Sequence, residues 1–237
     1  MEKLIIEEIR LTNVHREVER DIVMDPTTKF FNKQKSDRPL VATENGFHSD
    51  VKQSYNGNNY KDIALYAYSS QHYDFWQEDY QTEDIPKGII GENLIVQYAD
   101  EFTVFIGDVY QCGEAKLEVS QPHLPHWGVS VRMKTSDFAM RMHNLGRTGW
   151  YFRVIEPGEI NAGDELVLLK RPHPDWSIAA CHEVLHFDYE NLNRLFELSK
   201  CNALGSYWKQ ILNGKLRGKE IIEQDRLLFP KKKVGVV

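Results

Sequence analysis

The chain has 237 residues, room for one large or two small domains at about 150 residues each. Its 41% hydrophobic and 27% charged content excludes a disordered chain, and no run of about 18 uncharged apolar residues offers a membrane span. Lys and Arg number 29 against 35 Asp and Glu; a net charge of -6 argues against sequence-independent nucleic-acid binding, which draws on clustered cations.

In chain order, Leu4 to Leu11 reads as an opening strand and Val18 to Met24 as a second, more charged one. The first residues place Glu7 and Glu8 where a secretory leader needs an apolar stretch, which predicts a cytoplasmic setting. Residues 25 to 61 carry turn signals at Asn45-Gly46 and Asn56-Gly57 and predict loops, with one strand at Pro39 to Thr43. Ile63 to Tyr68 predicts a buried strand, and Ser69-Ser70 can cap an aromatic helix ending near Tyr80. Asn93 to Gln97, Thr103 to Ile106, Val109 to Cys112 and Ala115 to Ser120 predict four short strands. In the last, Leu117 and Val119 alternate with Lys116, Glu118 and Ser120, the period of a half-buried strand. Ser136 to Leu145 predicts a helix with Phe138, Met142 and Leu145 on one face. Two more strands follow at Trp150 to Ile155 and Glu165 to Lys170.

After Arg171-Pro172-His173-Pro174 the pattern turns helical. Asp188 to Asn191 can cap a helix with Leu192, Leu195, Phe196 and Ser199 on one face, and Leu204 to Leu212 and Gly218 to Leu228 are two further windows. The expected organisation is mainly β: a β-barrel domain over residues 1–175 with a few helices, then a small C-terminal three-helix bundle over 185–230. Lys231 to Lys233 reads as a solvated end.

Several positions can carry chemistry. Gly91-Glu92-Asn93-Leu94 puts a charged acceptor and an amide at a glycine turn entering a strand, either a ligand-reading edge or a structural turn. Ser120-Gln121-Pro122-His123-Leu124-Pro125-His126 must leave the sheet, because two prolines forbid regular pairing. His123 and His126 can bind a metal through imidazole nitrogen or serve as hydrogen-bonded loop residues. Arg147 and Arg153 flank a glycine turn and a strand; their guanidinium forks suit an anionic group, or loop carbonyls. Tyr66, Tyr68, His72, Tyr73, Phe75 and Trp76 form either a stacking pocket or core. Cys112, Cys181 and Cys201 are too few and too scattered for a disulfide framework.

Taken in order, the segments resemble the MOSC family, named after the C-terminal domain of molybdenum-cofactor sulfurases, and within it the YiiM-type branch with a C-terminal three-helix extension. The carrying motifs are Ala64 to Tyr68 with His72-Tyr73 and Trp76, Gly91 to Leu94, Ile106-Gly107-Asp108 and Gly113-Glu114-Ala115. They continue through Val119 to Pro122, Gly146 to Gly149, Tyr151, Arg153-Val154, Gly158 and Gly163-Asp164. The resemblance implies a mostly β barrel that binds a molybdopterin cofactor. It also implies reduction of N-hydroxylated bases as small-molecule substrates, with electrons from a partner protein. Pyridoxal phosphate binding is a further family-level association.

The family's loop after Gln-Pro reads Arg-x-Pro-Cys, its cysteine ligating molybdenum or carrying sulfur; here His126 stands at the cysteine position and His123 at the arginine position. Upstream, the family's His-Gly-Gly-x-Asp-Lys-Ala-Val segment is represented by Tyr55-Asn56-Gly57 and Asp62-Ile63-Ala64-Leu65, with Ile63 in place of the lysine. Imidazole ligates metals but cannot carry a persulfide. Three readings follow. The first is a molybdenum-cofactor reductase, with His126 at the metal, His123 beside it, and Glu92, Asn93, Gln121, Arg147, Arg153 and Asp62 around the cofactor. The second is a non-catalytic module binding a small anion or cofactor. The third is a divalent metal held by His123 and His126.

Overall fold

The structure, a computed structural model, describes residues 3–12, 33–48, 50, 60–82 and 85–219. The strand expected at Val18 to Met24, Tyr55-Asn56-Gly57 and most of the last helical window lie outside the described residues. The strands are β1 (Ile5–Thr12), β2 (Lys33–Lys35), β3 (Leu40–Thr43), β4 (Gly46–Phe47), β5 (Leu65–Ser69), β6 (Leu94–Gln97), β7 (Val109–Cys112), β8 (Ala115–Pro122), β9 (Trp150–Glu156), β10 (Gly158–Ile160) and β11 (Leu166–Lys170). The helices are α1 (Gln71–Asp79), α2 (Trp127–Arg132), α3 (Phe138–Asn144), α4 (Ile178–His186), α5 (Leu192–Ser199) and α6 (Ser206–Leu216).

Among the described residues the main sheet has eight strands in the order β11-β7-β8-β9-β5-β6-β1-β2, beside a small sheet β10-β3-β4. Pairing is antiparallel except between β5 and β6, which run parallel with α1 inside their connection. The sheet curls into a half-barrel. Its ends approach where Ile6 N–H donates to the Asp164 carbonyl at 2.9 Å and Leu166 N–H to the Leu4 carbonyl at 2.8 Å.

Alternation sorts the side chains onto two faces. Leu65 and Ala67 of β5, Leu117 and Val119 of β8 and Phe152 of β9 point inward into the main core. Tyr66 and Tyr68 point the other way and pack with Tyr73 and Trp76 of α1 and Phe138 and Met142 of α3. Apolar residues of α4, α5 and α6, among them Cys181, Leu195, Leu198, Trp208 and Leu212, join the main core. At Gly149 (φ +74°) the chain passes so near the Ala67 carbonyl that a Cβ would collide with it.

Four local expectations differ from the structure. Thr103 to Ile106 forms a turn: Asp100 Oδ1 accepts the N–H groups of Phe102 and Thr103, each at 3.0 Å, and only Phe105 pairs, with Ser177. Leu145 lies at the C-terminal end of α3, half-exposed, while Phe138 and Met142 are buried. In α5 the buried residues are Leu195 and Leu198, whereas Leu192 and Phe196 face outward. Phe196 instead receives the Lys200 ammonium over its ring at 3.8 Å. Helices α2 and α4 occupy stretches in which no helix was expected. No helix among the described residues is long and apolar enough to cross a membrane.

Candidate ligand site at the end of β8

A register shift between Val119 and Gln121 carries β8 out of strict pairing, and Gln121 and Pro122 then lie opposite Tyr151 and Trp150. Tyr151 in turn lies opposite Tyr66 on β5. Directly paired residues share a face, so Gln121, Tyr151 and Tyr66 form a row across three strands on the outer side of the sheet. His123 covers this row. Its ring stacks on Tyr66 with centroids 4.3 Å apart and meets Tyr151 edge-on at 5.6 Å.

The Thr148 carbonyl fixes the His123 tautomer. It lies 3.1 Å from His123 Nδ1 and also receives the Tyr66 hydroxyl at 2.7 Å. A carbonyl only accepts, so Nδ1 carries the proton and Nε2 the lone pair. Burial pushes the His123 pKa down to about 3, which keeps the ring neutral at pH 7. His126 has the opposite arrangement. It is the N-cap of α2, and its Nδ1 accepts the Gly128 N–H at 3.0 Å. Nδ1 of His126 is thereby given to the helix cap and not to a metal.

Glu92 is wholly buried behind Tyr66 and Tyr73. Its Oε1 accepts the Tyr73 hydroxyl and, at 2.6 Å, the Gly88 N–H. Its Oε2 has no hydrogen-bond partner among the described residues, and burial raises its pKa above the ordinary carboxyl value. Arg132, at the end of α2, feels the Glu92 charge; burial outweighs it and pulls the guanidinium down to about 10. Asn93 is a strand clamp. Its Oδ1 accepts the Tyr66 N–H at 3.1 Å, and its Nδ2 donates to the Arg10 carbonyl at 3.2 Å and to Asp50 at 2.9 Å.

The two arginines go to separate networks. Arg147 Nη1 donates to His72 Nδ1 at 2.8 Å, and its guanidinium lies 3.9 Å from the Phe75 ring centroid. His72 Nε2 donates to Glu101 Oε2 at 2.7 Å, and Glu101 Oε1 accepts the Gly149 N–H at 2.6 Å. Burial would raise the Glu101 pKa, but these contacts outweigh it and hold the carboxyl below its ordinary value. Arg153 donates to Asp62 at 2.6 Å and to Glu118 and the Ala203 carbonyl, each at 2.7 Å. Asp62 Oδ2 accepts both the N–H (2.8 Å) and the hydroxyl (2.6 Å) of Ser206 at the start of α6. The pair therefore latches the sheet to the C-terminal helices. Gln121 lies at the same latch, its Oε1 buried against Gly205 without a hydrogen-bond partner among the described residues.

His123, Tyr66, Tyr151 and the Gly146–Gly149 turn are thus brought together, with Glu92 beside Tyr66. Arg147 and Arg153 are held by protein carboxylates, carbonyls and rings. Glu101 was missed in the sequence: a lone acidic residue in a turn carries no local mark of the partner 48 positions away. The three cysteines sit elsewhere, in β7, in α4 and after α5, all buried; burial raises their thiol pKa values, that of Cys112 to about 12.

Fold and loop together define a MOSC domain. Residues 52–167 match the family model described as MOSC domain, and the chain belongs to that family. It is 31% identical over 191 residues to Protein YiiM of Escherichia coli, covering 79% of this chain and 84% of that protein. A protein named Reductase from Gibberella moniliformis is 32% identical over 176 residues, 73% of this chain; the match spans 31% of the length of that longer protein. The crystal structure of YiiM from Geobacillus stearothermophilus aligns with a TM-score of 0.75 and 25% identity over 90% of this chain and 99% of that one.

The family is associated with the molybdenum cofactor. The donor set here does not fit a thiolate-held molybdenum, because position 126 is an imidazole that caps α2 and no thiol lies in the loop. The orphaned Glu92 Oε2 is a different matter: a buried acceptor beside stacked rings suits the N–H edge of a heterocycle.

Proposed function

We propose that this chain is a MOSC-type binding module that holds a nitrogen heterocycle of the pterin or purine class, with or without an attached anionic group, and runs no thiolate–molybdenum chemistry. The carrying observation is position 126, where an imidazole spends Nδ1 on the N-terminus of α2 and leaves no sulfur donor beside the Tyr66–Tyr151–His123 rings. Stacking on those rings is worth about 1–3 kcal/mol per base-sized ring, and Glu92 supplies a buried acceptor for a ring N–H. With Arg147 and Arg153 engaged by the protein, retention rests on stacking and hydrogen bonding more than on a phosphate clamp.

Titration with a free pterin, a purine base and inorganic phosphate, read by tyrosine fluorescence and thermal shift, tests this. The heterocycles are expected to bind at micromolar concentrations and phosphate not to bind; Tyr66→Ala should weaken heterocycle binding about tenfold or more. Absence of any heterocycle binding up to about millimolar concentration overturns the proposal. A second reading, a reductase that uses His126 in place of the cysteine, is favoured by the similarity to the Gibberella moniliformis protein named Reductase.

A further inference from the structure

Away from the β8 loop, helices α3 and α4 bring three histidines together. His182 and His186 lie one turn apart on α4, so their side chains leave the same face, and His143 of α3 meets them there. One ring nitrogen of each lies within 4.8 Å of the others. Ring centroids are 4.9 Å apart for His143 and His182, 4.5 Å for His143 and His186, and 4.6 Å for His182 and His186. We propose that His143, His182 and His186 bind one divalent transition-metal ion of the Zn²⁺ class, and that this ion clamps α4 of the C-terminal helices onto α3.

The second observation is the wiring of His182, which is 3% exposed. Its Nε2 donates to the His143 backbone carbonyl at 2.8 Å, so the neutral ring carries its proton there. Nδ1 is left as a bare lone pair, buried and without a hydrogen-bond partner among the described residues. A buried acceptor left unmet is destabilising unless something fills it. Metal-ligating histidines are oriented in this way, the far N–H held by a carbonyl so that the near nitrogen faces the ion.

Three imidazoles and no thiolate suit Zn²⁺, Co²⁺ or Ni²⁺ better than a hard cation, which prefers oxygen. Tetrahedral bonds of about 2.05 Å require nitrogens about 3.3 Å apart, so the rings must draw closer than their present spacing of up to 4.8 Å when the ion binds. Water takes the fourth position. Phe187 packs on His143 and His182, and Trp208 on His186. The buried carboxylate of Glu101 lies near enough to His182 to offset part of the metal's charge.

The test uses the full chain, stripped with a chelator and titrated with Co²⁺ and then Zn²⁺. Wild type is expected to take up about one Co²⁺ per chain, with visible d–d absorption that Zn²⁺ abolishes, and saturating Zn²⁺ should raise Tm by several degrees. Folded His182→Gln and His186→Gln variants should lose both signals, while the His123→Gln, His126→Gln double variant keeps them. Failure of the wild type to bind Co²⁺ below about 0.1 mM overturns the proposal, and that result does not depend on any variant folding. Unchanged uptake by folded His182→Gln, or loss of uptake in the double variant, overturns it equally.

Discussion

At position 126 an imidazole does the work of a helix cap, and at position 123 another is held neutral between two tyrosines. The second has a thermodynamic consequence. An exposed histidine titrates near 6.5, whereas His123 in the folded chain titrates near 3. Between those values the unfolded chain binds the extra proton, so stability is fully present above about pH 6.5 and falls as the pH drops toward about 3. His123→Gln removes that proton. Urea unfolding should show wild type losing about 2 kcal/mol more than the variant between about pH 7 and pH 5. Identical pH profiles would mean that His123 is not a buried neutral base. The stacking of His123 on Tyr66 could not be read from a loop that shows only Pro and His, because its partner lies 57 positions earlier in the chain.

At the scale of elements, the latch between the sheet and α6 rests on few atoms. Arg153 and Asp62 have side chains 18% and 7% exposed, and removing one partner leaves the other charged and poorly compensated. Arg153→Met should cost about 2–4 kcal/mol in urea unfolding, and adding Asp62→Asn should restore part of it. A change under about 0.5 kcal/mol would show the pair to be dispensable. Close beside it, a Cβ on Gly205 would run into Gln121 Oε1. Gly205→Ala is expected to destabilise by about 1–3 kcal/mol and Gln121→Ala to relieve most of that, a coupling that a double-mutant cycle measures. Additive effects would contradict the contact.

Which elements were legible follows from how local their causes are. The β7–β8 hairpin was plain, because Leu117 and Val119 alternate with polar residues after Gly113. Helix α2 was not: Gly128, Val129 and Val131 disfavour helix, and the segment turns because His126 caps it and Val129 packs inside. Helix α4 did carry a signal, Ser177 as cap and Ile178, Cys181 and Leu185 on one face, inside a stretch read as a joint between domains. The destination of Arg153 had no local cause at all. Its partners lie 91, 35 and 50 positions away in the chain, and only the curl of the sheet brings them together.

Over the whole molecule, motif order was enough to place the chain in the MOSC family, while the fate of each charged side chain needed coordinates. The curled sheet, the glycine turn at Gly149 and the buried Glu92 persist in a chain whose loop has exchanged sulfur for nitrogen. The most direct test is elemental. Wild-type protein purified from a host that makes molybdenum cofactor should carry molybdenum well below one atom per chain and reduce no N-hydroxylated base. Near-stoichiometric molybdenum together with turnover of such a base would contradict the account.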